Sequence, residues 1–280
     1  MNIDAALKDA ADALDAADVA DARPQAASLL AFALNRDRTF LFAHSGQELT
    51  SDELAAFTSL IRRRSSREPF QYIVGRQEFY GLDFQVTPDV LIPRPETEIL
   101  VEAAIKHLSK IDKPRFCEIG VGSGCISVAI LHAHPTATAA AGDISEAALT
   151  IARRNAKLNG VADRLTLIES DVFANVPDEE FDAIVSNPPY VSRLDLDSLQ
   201  AEVRDFEPVT SLSDGGDGLS IIRRIVDGAP SRLKKGGCLL MEIGFDQSSR
   251  VEAMFDRAVW SSVELLPDLQ GIPRIVTARL

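Results

Sequence analysis

Apolar residues in the first 68 positions recur at helical spacing. After Pro24, Leu29, Leu30, Ala33 and Leu34 fall on one helical face, and Leu54, Phe57, Leu60 and Ile61 repeat the pattern. Thr50 and Glu53 stand three apart ahead of the second run, the spacing of a capping box, so a helix is expected to start beside Thr50. The pattern then changes. PFQYIVGRQEFYGLDFQV is rich in aromatic and β-branched residues and is interrupted by Gly75 and Gly81, which predicts a hairpin. The expected division is a helical module over residues 1–68, a hairpin linker over 69–92 and a larger domain over 93–280.

From Phe116 onward, strand-like and helix-like runs alternate: RFCEIG and a helix through Ile130, ATAAAGD and SEAALTIARRNAKL, RLTLIES, FDAIVSN, a helix near GLSIIRRIV, then CLLMEIG. Such alternation predicts βαβ units and a mostly parallel sheet, an α/β fold. The apolar run Phe181, Ala183, Ile184 and Val185 suits a strand covered on both faces. The tail SSVELLPDLQGIPRIVTARL offers two strands around a turn-like break, and so a closing antiparallel pair.

Composition narrows the function classes. A chain of 280 residues that is 46% hydrophobic supports one large domain, or an ordinary one with a smaller companion. A net charge of -13 and a pI near 4.8 argue against a surface that binds nucleic acid mainly by neutralising phosphates. Cys117, Cys125 and Cys238 lack CxxC spacing, so neither a disulfide framework nor a zinc site is expected. His132 and His134 have no supporting thiol, and no metal is expected. The start carries no basic, apolar leader, and no apolar run is long enough to span a membrane. A cytoplasmic protein without a membrane partner is expected.

Candidate chemistry gathers at strand ends. EIGVGSG places Gly120, Gly122 and Gly124 between a strand and a helix, where a ligand can approach the backbone closely. The spacing is GxGxG; Cys125 stands where the dinucleotide fingerprint needs glycine, and no Walker lysine follows. The loop therefore suits a nucleoside without a pyrophosphate and points to S-adenosylmethionine, a tight strand–helix turn being the plain alternative. Asp143 closes the next strand, where an acid can take both ribose hydroxyls. Asp171 closes the one after, placed to accept from an adenine amino group while Val172 packs on the ring. The plain alternatives are a turn ahead of a Ser145 cap and an Asx turn.

Asn187-Pro188-Pro189-Tyr190 ends the strand FDAIVS. The two prolines stiffen the segment. The Asn187 side-chain carbonyl and the Pro188 backbone carbonyl can then grip both hydrogens of a planar NH2 group. Two fixed acceptors favour the positive charge that develops as such a nitrogen attacks a methyl donor. The Tyr190 ring can flank substrate or a sulfonium. The alternative is a rigid turn without chemistry.

With these residues in hand, the chain resembles the HemK/PrmC family of S-adenosylmethionine-dependent protein-glutamine methyltransferases. The likeness runs through EFYGLDFQVTPDVLIPRPETEIL, CEIGVGSGCISVAI, DISEAALTIARRNA, IVSNPPY, EVRDFEPVTSLSDGGDGL and PDLQGIPRIV. It implies a Rossmann-like class I methyltransferase domain, with a mostly parallel seven-stranded sheet and an antiparallel last strand, behind a small helical domain and hairpin. The implied reaction methylates the glutamine of the Gly-Gly-Gln loop of class 1 peptide chain release factors, docked by the helical module of a monomer. Implied cofactor contacts are Glu118, Gly120, Val121, Gly122, Ser123 and Gly124 in the loop, with Asp143, Asp171, Val172 and Asn187 beyond it. Implied substrate contacts are Asn187, Pro188, Pro189 and Tyr190, of which Asn187, Pro188 and Tyr190 are catalytic. Val121 departs from the family, where many relatives carry threonine.

Asn-Pro-Pro-Tyr is shared with enzymes that methylate adenine or guanine amino groups, and a ribosomal-protein glutamine methyltransferase is a nearer alternative. A cofactor-binding scaffold without catalysis is the third. RPETE is read as ordinary helix-start chemistry, with Pro95 at the first position and Glu96 and Glu98 in the first turn, and no catalytic role is assigned to it. Arg62, Arg63, Arg64 and Arg67 are read as a solvated helix C-terminus, the alternative being a contact surface for release factor or ribosomal RNA.

Overall fold

The computed structural model describes residues 1–280. Two compact units emerge: Met1–Gly75 together with Gln200–Phe206, and Arg76–Leu199 together with Glu207–Leu280.

The first unit is helical, with helices at Ile3–Ala16, Ala22–Leu34, Arg38–Ala43, Ser51–Ser65, Phe70–Val74 and Ala201–Phe206. Their starts follow from local chemistry. Asn2 Oδ1 accepts from Ala5 N at 2.9 Å. The expected capping box at Thr50 is present, with Thr50 N donating to Glu53 Oε2 at 2.8 Å and Glu53 N to Thr50 Oγ1 at 3.2 Å. Leu14, Leu29, Leu30 and Phe57 form the core, each large aliphatic contributing about 2 kcal/mol by burial.

Two readings are corrected here. The stretch expected to open a hairpin at residue 69 first makes the helix Phe70–Val74, closed by Gly75 at φ 73°. The hairpin is shorter, β1 (Arg76–Phe79) and β2 (Leu82–Gln85), turned at Tyr80 (φ 53°) and Gly81 (φ 73°), the backbone signs of a type I′ turn. The arginines divide: Arg62 is exposed at the helix C-terminus, as read, but Arg63, Arg64 and Arg67 are paired and form neither a solvated helix end nor a free surface. Arg64 is buried; it donates to Gln25 Oε1 at 2.7 Å, Glu68 O at 3.0 Å and Glu202 Oε1 at 2.9 Å. Arg67 binds the other Glu202 oxygen at 2.7 Å, and Arg63 pairs with Glu68. Burial pushes the Glu202 carboxyl up, but Arg67 and Arg64 outweigh it and hold it at about 2.

The second unit carries the hairpin and a seven-stranded sheet of β3 (Arg115–Ile119), β4 (Thr138–Asp143), β5 (Leu165–Glu169), β6 (Phe181–Ser186), β7 (Leu233–Glu242), β8 (Ser262–Pro267) and β9 (Pro273–Arg279). Its order is β5-β4-β3-β6-β7-β9-β8, with β9 antiparallel to both neighbours and the first five strands parallel. This is the α/β architecture expected. Alternate residues feed opposite layers. Phe116, Ala183 and Val185 pack with Leu100, Ala104 and Ile130, whereas Cys117 and Ile184 pack with Ile222, Ile225 and Val251. Every residue of β6 is buried, as a doubly covered strand requires. The chain leaves β3 outward through β4 and β5, then returns to lay β6 on the opposite side of β3. That reversal opens a crevice at the carboxyl ends of the strands, where such sheets bind ligands. No helix is long and apolar enough to cross a membrane.

Candidate active site

The crevice at the strand ends is a cavity of about 350 Å³ in the second unit. One wall is the glycine loop after β3. Gly120 N and Val121 N both donate to Gly142 O, at 2.9 and 3.0 Å, so β4 sets the loop's height. Gly124 has φ 83°, and a Cβ there would lie 3.2 Å from the Cβ of Ala152, so glycine leaves room for the helix Glu146–Leu158 to pack against the loop. Asn155 braces the loop from behind, donating to Ser123 O at 2.8 Å and to Gln85 O at 2.9 Å while accepting from Gln85 N at 2.7 Å.

Asp143 closes β4 and lines the cavity. Its Oδ2 accepts from Gly122 N at 2.8 Å and its Oδ1 from Ser145 N at 2.9 Å. Burial pushes this carboxyl up, against the pull of those backbone N–H groups. It therefore braces the turn, as its plain alternative had it, and also lines the cavity. Glu118 lies deeper. Its Oε2 accepts from Ser127 N at 3.0 Å and from the Ser127 hydroxyl, but Oε1 has no partner at all. Burial pushes its pKa up to about 8, with the Ser127 bonds opposing. An orphaned buried oxygen in a cavity wall is suited to a cationic group on whatever fills that cavity.

The far side is built by Ser170, Asp171 and Val172. Val172 holds φ 53°, rare for a β-branched residue, and Ser170 Oγ pins it by donating to Val172 O at 3.0 Å. Asp171 is half-exposed and already paired, accepting from Arg224 Nη1 at 2.9 Å. Opposite stand Asp89–Arg94 and the Pro208–Asp214 segment, joined by buried Glu207, which accepts from Ile92 N at 3.3 Å and pairs with Arg94.

Asn187 and Pro189 reach the cavity, whereas Pro188 is buried and neither it, Gly124 nor Tyr190 lines the wall. Asn187 Nδ2 donates to Thr97 Oγ1 at 3.1 Å. Tyr190 is tied on two sides: its hydroxyl donates to Glu242 Oε1 at 3.1 Å, and its carbonyl accepts from Gln247 Nε2 at 2.8 Å. Gly218 passes so close that a Cβ would fall 2.1 Å from Tyr190 O. The expected flanking ring is thus anchored through its hydroxyl. Burial, reinforced by the Glu242 charge, pushes that phenol up.

Thr97, Glu242, Asn155 and the Arg94–Glu207 pair escaped the sequence reading. Glu242 carries the signal used for Asp143, an acid closing an apolar strand. Thr97 lies inside RPETE, where Pro95–Thr97 does form a single 3-10 turn, as a helix start should; the turn aims the threonine at Asn187 as well.

Comparison with known proteins places these parts in context. Residues 5–75 match the PrmC N-terminal domain model, and residues 96–205 match the methyltransferase small domain model. The chain is 44% identical over 263 residues to the release factor glutamine methyltransferase of Geobacter sulfurreducens, covering 93% of this chain and 90% of that one. It is 43% identical over 275 residues to the release factor glutamine methyltransferase of Cereibacter sphaeroides, covering 98% and 97%. Among solved structures, a Pyrococcus furiosus methyltransferase shares the fold at a TM-score of 0.52 and 16% identity, over 72% of this chain and 90% of that one.

Proposed function

The chain belongs to the release factor glutamine methyltransferases, and we propose that it moves a methyl group from S-adenosyl-L-methionine to a glutamine side-chain nitrogen in class 1 peptide chain release factors. The glutamine is that of the Gly-Gly-Gln loop. The observation that carries this reading is the bond from Asn187 Nδ2 to Thr97, which leaves the amide's acceptor oxygen for an incoming N–H at the cavity.

The residues present fit the methyl donor. Glu118 Oε1, buried and unpartnered, suits its ammonium group. Asp143 keeps lone pairs for the ribose hydroxyls beyond those spent on Gly122 and Ser145. Ile144, 65% exposed yet lining the cavity, and Val172 offer apolar faces to the adenine, with Asp171 Oδ2 beside them for its amino group. Gly120, Val121, Gly122 and Ser123 supply the backbone cradle, and Gly124 fixes its helix. When bound, this cofactor supplies a methyl carbon made electrophilic by an adjoining sulfonium.

Asn187 Oδ1, at the cavity, accepts one hydrogen of the glutamine amide; the carbonyl of Pro188, whose ring is buried off the wall, is assigned the second, and Pro189 and Tyr190 hold the segment that presents them. A planar amide is a weak nucleophile. Two fixed acceptors stabilise the charge that grows on its nitrogen, and in-line alignment contributes roughly 7–11 kcal/mol. As the nitrogen–carbon bond forms the carbon–sulfur bond breaks, its electron pair stays on sulfur, and one N–H proton leaves to water. The helical unit is assigned to docking the release factor, and the enzyme to the cytoplasm as a monomer.

The test is transfer of labelled methyl to purified release factor, with a Gln→Ala change in its Gly-Gly-Gln loop and ribosomal RNA in parallel. Label on wild-type release factor alone is expected. Label on RNA, or on the Gln→Ala factor, overturns the assignment.

A further inference from the structure

Glu242 ends β7, 2% exposed, on no wall of the cavity, and accepts two hydroxyls. Thr97 Oγ1 donates to its Oε2 at 2.7 Å and Tyr190 OH to its Oε1 at 3.1 Å. Thr97 is itself 2% exposed, so no solvent competes for its hydroxyl. We propose that Glu242 is the positioning residue of the methyl-transfer site: through the single hydroxyl hydrogen of Thr97 it dictates which end of the Asn187 amide faces the substrate.

Burial pushes the Glu242 carboxyl up while the Thr97 and Tyr190 hydroxyls pull it down; both of its oxygens accept here, whereas a hydroxyl owns one hydrogen. With that hydrogen spent on Glu242, Thr97 Oγ1 has only lone pairs left for Asn187. The Asn187 amide must then turn its NH2 to Thr97, as it does at 3.1 Å, and its carbonyl oxygen the other way. The other Glu242 oxygen fixes the Tyr190 hydroxyl three residues along, so one buried carboxyl group sets both ends of the Asn-Pro-Pro-Tyr segment.

A glutamine at 242 cannot reproduce this polarity. With its NH2 toward Thr97, the Thr97 hydrogen is released toward Asn187, whose amide turns over and presents donors to the substrate's own N–H groups. With its NH2 toward Tyr190, a donor meets the phenol hydrogen. Either orientation spoils one end of the segment without changing its volume.

This rests on the reading that Asn187 Oδ1 receives the substrate amide, and the experiment separates the two. Turnover and cofactor affinity are measured for Glu242→Gln, Thr97→Val, Thr97→Ser and Asn187→Ala, and for Glu242→Gln combined with Asn187→Ala. Glu242→Gln and Thr97→Val are expected to lower kcat about 10- to 100-fold, the range seen when an orienting partner is lost elsewhere, with cofactor affinity held. Thr97→Ser restores the hydroxyl and most of the turnover. In the Asn187→Ala background the Glu242→Gln change should add much less than it costs alone, because the amide it orients is gone and only its hold on Tyr190 is left to lose. A low Asn187→Ala with unchanged Thr97→Val and Glu242→Gln overturns the positioning role alone, as does full additivity in the double variant. Wild-type turnover in Asn187→Ala removes the reading of the site and the proposal with it. Should Glu242→Gln fail to fold, the Val and Ser variants of Thr97 decide by themselves.

Discussion

Replacing Glu118 by glutamine should flatten the pH dependence of the protein's stability. In the fold this carboxyl is fully buried, its Oε1 has no partner, and burial pushes its pKa from 4.5 to about 8. In the unfolded chain it ionises near its ordinary value. Between pH 4.5 and about 8 the folded state therefore keeps a proton that the unfolded state has released, and stability falls as pH rises. Below that window both states are protonated and the contribution is whole; above it the loss is complete. Each pH unit inside the window is worth about 1.4 kcal/mol, so about 5 kcal/mol separates the two plateaus. Against the roughly 5–15 kcal/mol that holds a domain together, that is a large share. Glutamine keeps the size and the contact to Ser127 but does not titrate. Its unpaired amide adds an offset that is the same at every pH, so the slope is the measurement. Urea unfolding between about pH 5.5 and 8, followed by the fluorescence of Trp260, the chain's single tryptophan and buried in the sheet's core, reports the right unit. The wild type should lose about 1.4 kcal/mol per pH unit relative to Glu118→Gln. Parallel profiles refute the reasoning. Added S-adenosylhomocysteine, whose ammonium would partner Glu118, should lower its pKa and shrink the wild-type slope.

Asn187→Ala should cut methyl transfer by about 10² or more while calorimetry shows cofactor affinity little changed; near-wild-type turnover ends the proposed grip. Gly218→Ala forces a Cβ onto Tyr190 O at 2.1 Å with φ 74°, so destabilisation above about 2 kcal/mol or failure to fold is expected, and an unmoved melting temperature contradicts it. Glu202→Gln leaves the buried Arg64 guanidinium without its carboxylate and should destabilise the helical unit by about 3 kcal/mol, read by helical circular dichroism on denaturant titration. The wild-type clamp is whole above pH 4.5 and is lost as pH falls toward about 2, so the difference between the two proteins should close on acidification; a gap that persists in acid argues against it.

Elements with a local cause were legible. The capping box at Thr50, the alternation that makes the sheet and the apolar run of β6 each depend on neighbouring residues, and each stands where the pattern puts it. The start of the hairpin was misread because Phe70–Val74 is only five residues long, too short for periodicity to separate helix from strand. Gly75, read as a strand breaker, is instead a helix C-cap. The site divides the same way. Cavity residues that close a strand were found; those whose meaning lies in a distant partner were not. Thr97 matters through Asn187, 90 positions on, and Arg64 through Glu202, 138 positions on. Nothing near either residue announces such a pairing. RPETE illustrates the limit: its backbone reading as a helix start holds, yet its threonine, Thr97, has a second task.

The inclusion of Gln200–Phe206 in the helical unit bears on modularity. The match to the PrmC N-terminal domain ends at residue 75, and a gene cut there looks like a clean excision. The excised fragment would carry Arg64 and Arg67 but leave Glu202 behind. A graft of this module onto another catalytic chain thus inherits two arginines seeking an acid, unless the recipient supplies one at the corresponding place or the seven residues travel with it. The transferable unit of this chain is therefore two stretches, which a single junction at residue 75 separates.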